Sequence, residues 1–250
     1  MPRRHDKPVL LALFVLGCVY SSLLMLSDLL PFVDLPFHLG VATVVRGFGE
    51  AGNRFSDYFT LQIAGQPNVF HLWFCSRSIF PSVEFANKVY LALYTFLLPL
   101  SLYCVIRELR GNTWFSVLSC LYLYNFNTHW GFVGFIGAIP AVFFLFAVLV
   151  RHLQGPSRWT QFGVAIGTLL LFFIHVLAAL FFLLVIGLTC LVDQWPNRKR
   201  LAKSFLLMVP AVVLIAWWSL ASEKSGDYPL LYFVVSYYQN LSTHPFRLCP

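Results

Sequence analysis

Charge is scarce in this sequence of 250 residues, because only 11% of them are Asp, Glu, Lys or Arg, while 59% are hydrophobic. A soluble domain carries about 25% charged and roughly 45–50% apolar residues. So little charge excludes a soluble enzyme, a disordered chain and a nucleic-acid-binding domain. The apolar stretches are continuous rather than alternating, which disfavours a transmembrane β-barrel. The composition therefore predicts an all-α, polytopic transmembrane helical bundle in a single domain, residues 1–250.

Motifs for metals and nucleotides are missing as well. The sequence has no Cys-x-x-Cys, His-Glu-x-x-His, Walker or dinucleotide-binding pattern. Its six cysteines form no disulfide framework, since four of them lie in apolar stretches, where cysteine behaves as a small hydrophobic residue. No motif therefore predicts a metal or another cofactor, and the cofactor requirement stays open.

The apolar stretches predict about seven transmembrane helices, since one crossing needs about 20 apolar residues. The short basic segment before the first stretch favours an uncleaved membrane anchor over a signal peptide. Residues 160–193 leave only about 17 residues for each of two crossings, so a re-entrant hairpin remains an alternative there. The predicted crossings are 8–26, 86–106, 113–128, 131–150, 160–175, 176–193 and 202–220.

Basic residues set the predicted sidedness, because Lys and Arg concentrate in cytoplasmic loops. Four basic clusters hold 11 of the 17 Lys and Arg residues, and two predicted crossings separate each cluster from the next. This places the N-terminus in the cytoplasm and the C-terminus outside. It makes residues 28–85 the first external loop, with short amphipathic helices on the membrane surface. Residues 221–250 are predicted to form an external interfacial tail, or the start of a helix that the sequence does not complete.

Acidic residues and histidines fall mostly on the predicted external side, so any chemistry is expected there. The sharpest local feature is the pair Asp34 and His38, which share one face of a helix because they are four residues apart. Asp34 has an alternative as a helix N-cap, with Pro36 tolerated in the first turn. His38 has an alternative as a satisfied interfacial histidine. We interpret both residues as catalytic candidates.

Polar side chains also lie near the predicted outer boundary, later in the chain. Asn127, His129 and Trp130 fall between two predicted crossings, where an aromatic belt with turn-forming asparagines is the alternative. His175 lies inside an apolar run, and an ionisable group at that depth is a candidate for function. Its alternatives are a neutral histidine bonded to a neighbouring helix and a residue at the turn of a short hairpin.

Charged residues of the first loop are candidates for binding a substrate phosphate. Arg46, Arg54, Arg77 and, just after the loop, Lys88 could bind it, since arginine contacts phosphate through paired donors and lysine as a point charge. The alternative for each is solvation or binding of a lipid headgroup. Asp57 lies among them as a further candidate for substrate binding.

Three segments carry a resemblance to a known family: residues 34–40, 129–138 and 170–179. They resemble integral-membrane glycosyltransferases of the GT-C superfamily, including uncharacterised bacterial members. The resemblance implies a seven-helix module with two membrane-surface helices in the first external loop. It implies a lipid-linked donor, usually a polyprenyl-phosphate sugar, and inverting transfer at the outer face of a bacterial inner membrane. One departure is Leu35, where many members carry a second acid; another is that many members continue beyond the length of this chain.

The resemblance places Asp34 at the position of an acidic residue that acts, in this superfamily, as the catalytic base or positions the acceptor. On this hypothesis Asp34 is the base, and His38 orients it or joins Asp57 and His71 around a metal. The loop arginines stabilise the phosphate, while His129 and His175 line the donor cavity. Two other functions stay open: a membrane transporter, and a non-catalytic lipid-binding or scaffold subunit. The expected partners are membrane lipid and the polyprenyl-phosphate donor, not nucleic acid, and the oligomeric state is left open.

Overall fold

A computed structural model describes residues 6–27, 30–50, 52–61, 63–195 and 197–224. Every regular element in these ranges is helical, which confirms the all-helical class. Apart from one 3₁₀ helix at Thr113–Tyr122, the elements are α1 Asp6–Leu26, α2 Leu35–Gly47, α3 Phe55–Tyr58, α4 Phe70–Cys75, α5 Val83–Glu108, α6 Phe126–Trp130, α7 Val133–Gln154, α8 Arg158–Ile174, α9 Val176–Gln194, α10 Arg198–Phe205 and α11 Val209–Lys224.

Four helices are long and apolar enough to cross a membrane: α1, α5, α7 and the Val176–Asp193 part of α9. Two shorter apolar helices cover Arg158–Ile174 and Val209–Ala221. The chain is therefore built as a membrane protein. The expectation of seven transmembrane α-helices is not confirmed, because α8 and α11 are short and the predicted crossing at 113–128 is not an α-helix.

The ends of the long helices define two ends of the bundle, with α5 and α7 running in the same direction. Near one end, the Gln154 side chain donates a hydrogen bond to the Glu108 carbonyl at 3.1 Å, which joins the C-termini of α7 and α5. At the other end, residues 32–35 lie against Gly131, just before α7 begins. We call these the Glu108 end and the Asp34 end. α2, α3 and α4 all belong to the connection between α1 and α5, which meet it at the Asp34 end.

A ten-residue 3₁₀ helix, Thr113–Tyr122, follows α5. Such helices rarely exceed three or four residues, because their hydrogen bonds are poorly aligned. Here the Ser116 hydroxyl donates to the Thr113 carbonyl at 2.7 Å, and the Ser119 hydroxyl donates to the Ser116 carbonyl at 2.6 Å. Both serines are buried. Small polar residues every third position thus support a helix with three residues per turn and let it pack closely on α5.

The stretch 160–193 folds as two antiparallel helices, α8 and α9, that meet at His175. The backbone of His175 is extended, with φ −163° and ψ 117°, so it interrupts the helix. The start of α8 is fixed by Ser157 and Thr160, whose side chains each bond the backbone N–H of the other. The predicted break between residues 175 and 176 is therefore confirmed, with His175 as the turn residue.

The predicted crossing at 202–220 is divided in the structure. α10 ends at Phe205, a turn follows, and α11 begins at Val209 with Pro210 in its first turn, where proline costs no hydrogen bond. The described residues up to Ala211 form one compact unit, and the described residues from Val212 to Lys224 belong to a second. The predicted interfacial tail, residues 221–250, lies outside the described residues from residue 225 onward.

Candidate functional site

The Asp34 segment and the segment around His129 are joined through their backbones at the Asp34 end. The Val33 N–H donates to the His129 carbonyl at 3.1 Å, and the Asp34 N–H donates to the Trp130 carbonyl at 2.9 Å. Gly131 closes α6 with φ +79°, and a Cβ atom there would lie 2.9 Å from the Leu35 nitrogen. Two of the segments that carry the resemblance therefore form one local structure.

Gly131 is the position where this contact can be tested. We expect Gly131→Ala to lower the free energy of unfolding by about 2 kcal/mol, because the left-handed backbone alone costs an L-residue roughly 1–2 kcal/mol and the methyl group meets backbone atoms. Thermal unfolding in detergent measures the change. The matched variant is Gly155→Ala, where a Cβ meets nothing within 4 Å. Equal stability of the two variants would contradict the packing described here.

Asp34 occupies the N-cap position of α2, but its side chain makes no capping hydrogen bond. Two features explain this. The backbone of Asp34 is helical, with φ −90° and ψ −3°, whereas a capping residue is normally extended. The second residue of the helix is Pro36, which has no N–H to be capped. The N-cap alternative therefore holds for position only, and the half-buried carboxylate keeps its acceptor capacity for another partner.

His38 lies one turn along α2 and contacts His71 of α4, with 6.1 Å between ring centroids. The His71 Nε2 atom lies 2.9 Å from Asn87 Oδ1 and 3.4 Å from Cys75 Sγ. A carboxamide oxygen only accepts, so Nε2 carries the proton and donates to Asn87. The ring of Tyr90 completes the cluster at 4.8 Å from that of His71. These side chains connect α2, α4 and the first turns of α5.

Burial controls the protonation of both histidines. Desolvation lowers the pKa of His71 to about 4, against the hydrogen bond to Asn87, which acts in the opposite direction. Desolvation also lowers the pKa of His38, and the nearby Asp34 carboxylate offsets part of that effect. Burial raises the pKa of the Cys75 thiol to about 12, so this cysteine is no nucleophile at neutral pH. At pH 7 the carboxylate of Asp34 thus has a neutral imidazole as its neighbour.

His175 belongs to a second group of residues at the same end of the bundle. Its ring packs on Phe135 with 5.2 Å between centroids, and its Nδ1 atom is buried without a hydrogen-bond partner in the described part of the chain. Asn68 caps α9 beside it, because Asn68 Oδ1 accepts from the Val176 N–H at 2.8 Å. The structure places His175 at a helix junction near the start of α7, in contact with Phe135.

The other residues predicted around Asp34 lie mainly on α6. His129 and Trp130 are exposed, and both are tied to the Asp34 segment through their carbonyl groups. The His129 ring has the Tyr124 hydroxyl 3.4 Å from its Nδ1 atom. Asn127 is half-buried, and its backbone is held by the Asn125 side chain. His129 is therefore the imidazole whose backbone is fixed directly to the Asp34 segment.

The three loop arginines each bond to a different group of the protein. Arg54 pairs with Asp57 at 2.8 Å on the exposed surface of α3. Arg77 donates to the Trp73 carbonyl at 3.0 Å, with its guanidinium over the Trp73 ring. Arg46 bonds the Phe80 carbonyl at 2.8 Å, and it follows Asp34 by twelve residues, about 18 Å along a helix. The expectation that Arg46, Arg54 or Arg77 stabilises a substrate phosphate stays a prediction.

No metal centre forms among the residues for which the structure gives positions, since no three His, Cys, Asp or Glu side chains there are suitably grouped. The hypothetical set of His38, Asp57 and His71 is therefore not assembled. His38 and His71 are close to each other, but Asp57 is engaged with Arg54 on α3.

Three residues of this region were absent from the sequence prediction: Asn68, Asn87 and Tyr90. Asn87 and Tyr90 are polar positions in the apolar helix α5, and polar residues within a membrane-spanning stretch are functional candidates by default. That signal was available in the sequence. Asn68 had no such signal, because its role depends on a positive φ of 61° and on a helix more than a hundred residues away.

Tyr90 offers a test of this burial. Its hydroxyl is buried against Gly137 with no hydrogen-bond partner in the described ranges, and an unsatisfied buried group costs about 1–3 kcal/mol. We expect Tyr90→Phe to leave the free energy of unfolding unchanged or to raise it by about 1 kcal/mol. Tyr94→Phe is the matched variant. The Tyr94 hydroxyl donates to the Tyr122 carbonyl, so its removal should lower the free energy of unfolding. A larger loss of stability in Tyr90→Phe than in Tyr94→Phe would contradict the burial of an unsatisfied Tyr90 hydroxyl.

Comparison of the chain with family models, with curated proteins and with solved structures gives no match.

Proposed function

We propose that this chain is a membrane glycosyltransferase that moves a sugar from a polyprenyl-phosphate-linked donor to an acceptor hydroxyl. The observation that carries the proposal is the state of Asp34. Its backbone is fixed by the Trp130 carbonyl, while its carboxylate is half-buried and makes no capping bond. A general base requires a carboxylate that is held in position and is not used to cap its own helix, so that it can accept a proton.

The proposed site faces the outer side of the membrane. The Glu108 end carries Arg107, Arg110, Arg151 and Arg158, and positive residues concentrate on the cytoplasmic side. The Asp34 end would then face outward, as would His38, His71, His129 and His175. We place the protein in a bacterial inner membrane on the basis of the resemblance.

The reaction needs one base and a good leaving group. The Asp34 carboxylate accepts the proton of the acceptor hydroxyl while the hydroxyl oxygen forms a bond to the anomeric carbon. The bond from that carbon to the phosphate oxygen breaks, and polyprenyl phosphate leaves with the electron pair. The configuration at the anomeric carbon inverts, so a second carboxylate of the kind that retaining glycosidases use is unnecessary.

His38 acts as a positioning residue in this scheme. It lies on α2 one turn after Asp34 and feels the charge of that carboxylate. Because its pKa is lowered by burial, it stays neutral at pH 7 and does not hold Asp34 in a permanent ion pair. The ring of His71 packs against the ring of His38, and His71 itself donates a hydrogen bond to Asn87.

In this scheme the departing phosphate is stabilised by polar groups of the segment that is bonded to the Asp34 segment. Arg46 lies about 18 Å along α2 from Asp34, too far to reach a phosphate bonded to a sugar at that carboxylate. His129 belongs to a segment that is hydrogen-bonded directly to the Asp34 segment, since the His129 carbonyl accepts from the Val33 N–H. We therefore assign phosphate contacts to His129 and Asn127, with Trp130 as an apolar wall for the sugar.

Mass spectrometry of the lipids that co-purify with the protein tests the donor assignment. We expect polyprenyl phosphate or its glycosylated form to be retained in preference to bulk phospholipid. The same preparation is then incubated with a polyprenyl-phosphate sugar, and release of polyprenyl phosphate is followed. Retention of ordinary phospholipid alone, together with no release, would overturn the proposal.

A non-catalytic lipid-binding subunit is the second candidate function. It is favoured by three clefts whose linings do not include Asp34, His38 or His175. The largest of them, about 420 Å³, is an apolar groove between α5, the 3₁₀ helix and α7. Retention of a polyprenyl lipid without any turnover would favour this function over the transferase.

A further inference from the structure

We propose that a cleft between α2 and α5 binds the headgroup of a zwitterionic phospholipid with a primary ammonium group, of the ethanolamine type. The cleft has a volume of about 370 Å³. It is lined on the α5 side by Glu84, Asn87 and Lys88, and on the α2 side by apolar residues that include Leu35 and Leu39. The proposal is independent of the transferase function, because neither Asp34 nor His38 lines this cleft.

The position of the cleft fits the headgroup layer of a membrane. α5 has 26 residues, which gives a length of about 39 Å at 1.5 Å per residue, while the hydrocarbon core is about 30 Å thick. The first turns of α5 therefore extend beyond the hydrocarbon. Glu84 and Lys88 belong to these turns, so their charges lie at the depth of lipid headgroups.

The charges of the cleft are complementary to a zwitterion. Glu84 and Lys88 are four residues apart on α5 and carry opposite signs, yet neither forms an ion pair in the described ranges. The Glu84 carboxylate already accepts from its own backbone N–H and from the Ser82 side chain, and Arg46, whose guanidinium donates to the Phe80 carbonyl, attracts it. An ionised carboxylate has about four acceptor sites, so Glu84 can still accept from a ligand ammonium. An anionic lipid would bring its phosphate to Lys88 but would offer no ammonium group to the Glu84 carboxylate. A zwitterion satisfies both charges at once.

Asn87 supplies the floor of the cleft and favours a phosphate beside Lys88. It is only 1% exposed, and its carboxamide oxygen already accepts the His71 N–H. What Asn87 can still offer to a ligand is its amide N–H, a donor like the Lys88 ammonium. Two donors close together bind a phosphate oxygen, and Glu84, one turn away, accepts from the ammonium group that a two-carbon link places beside it.

The lining also separates two kinds of zwitterion. A choline group has no N–H to donate and is recognised by aromatic rings. No aromatic side chain lines this cleft, whereas the Glu84 carboxylate can accept from a primary ammonium. The geometry therefore selects ethanolamine-type lipids over choline-type lipids.

Native mass spectrometry of the full-length protein, with defined lipids added in excess, tests the assignment. We expect the wild-type protein to retain the ethanolamine lipid about tenfold more than the choline or anionic glycerol lipid, as one charge-assisted hydrogen bond of about 1.5 kcal/mol allows. Glu84→Gln should remove the preference for ethanolamine over choline. Lys88→Gln should reduce the retention of the ethanolamine and choline lipids about equally, because both carry the phosphate.

Matched variants separate a specific site from a general charge effect. Glu50→Gln and Lys203→Gln remove the same charges from exposed positions outside the cleft and should retain the wild-type preference. Gly40→Phe fills the cleft from α2, where a Cβ meets nothing within 4 Å, and should reduce retention of every lipid. The proposal is overturned if the wild-type protein retains the three lipids equally or prefers the anionic one. It is also overturned if the cleft variants behave like the matched ones.

Discussion

Asp34→Asn is expected to reduce the rate of sugar transfer by at least about 100-fold, which is the lower end of the rate enhancement that a general base contributes. The amide keeps the size of the side chain and the backbone bond to Trp130, but it cannot accept the proton of the attacking hydroxyl. The measurement is the initial rate of polyprenyl phosphate release in proteoliposomes. Glu50→Gln, an exposed acid of the same loop, is the matched variant and should keep the wild-type rate.

Stability distinguishes this catalytic role from a capping role. Removal of a true N-cap side chain costs about 1 kcal/mol, whereas the Asp34 carboxylate makes no capping bond. Asp34→Ala should therefore unfold within about 0.5 kcal/mol of the wild-type protein while losing activity. A full rate of transfer in Asp34→Asn would contradict the catalytic assignment, and a clear loss of stability in Asp34→Ala would restore the capping interpretation.

Acid is expected to destabilise the protein through His71. The pKa of His71 falls from an unfolded value of about 6.5 to about 4 in the folded protein, because burial penalises the charged ring. The unfolded chain binds this proton more readily, so stability is complete above pH 6.5 and declines as the pH falls towards 4. The expected loss over this window is about 3 kcal/mol for this residue alone.

His71→Gln isolates this contribution, because glutamine still donates to Asn87 Oδ1 but does not titrate. Unfolding in detergent between pH 7 and 4 should show a flatter profile for this variant than for the wild-type protein. Parallel profiles of His71→Gln and the wild-type protein would show that His71 is not buried as the structure has it.

The sequence predicted the apolar helices well, because each of these segments satisfies its own requirement for length and hydropathy. α1, α5 and α7 begin and end within a few residues of the predicted bounds, and the break at His175 lies where the apolar run was divided. Helices α2, α3 and α4 occur inside the predicted first loop. These features depend on local composition, which is what a single sequence reports.

Two segments differ from the prediction for local reasons that hydropathy ignores. Residues 113–128 are apolar enough for an α-helix, but Thr113, Ser116 and Ser119 recur every three residues, and their hydroxyl groups support a 3₁₀ helix. A period of three was visible in the sequence and is the better predictor there. At 202–220 the turn after Phe205 and Pro210 divide the segment.

The candidate site was predictable only in part. The pairing of Asp34 with Trp130 joins residues 96 positions apart, and no local pattern specifies it. The three arginines share a loop but bond to different carbonyl and carboxylate groups, which sequence proximity does not specify. Asn87 reaches His71 because α4 folds onto α5, which is again a tertiary contact. Residue type thus identified candidates, and packing decided which of them meet.

Crosslinking between Val33→Cys and His129→Cys tests the assembly of the site most directly. The two backbones are hydrogen-bonded at 3.1 Å, so a short bismaleimide should join the residues in a protein whose six native cysteines are replaced by alanine. Val33→Cys with Trp159→Cys is the matched pair, because Trp159 is exposed near the Glu108 end. We predict efficient crosslinking of the first pair and none of the second. Failure of the first pair, or equal yields from both, would contradict the assembly of Asp34 with the His129 segment.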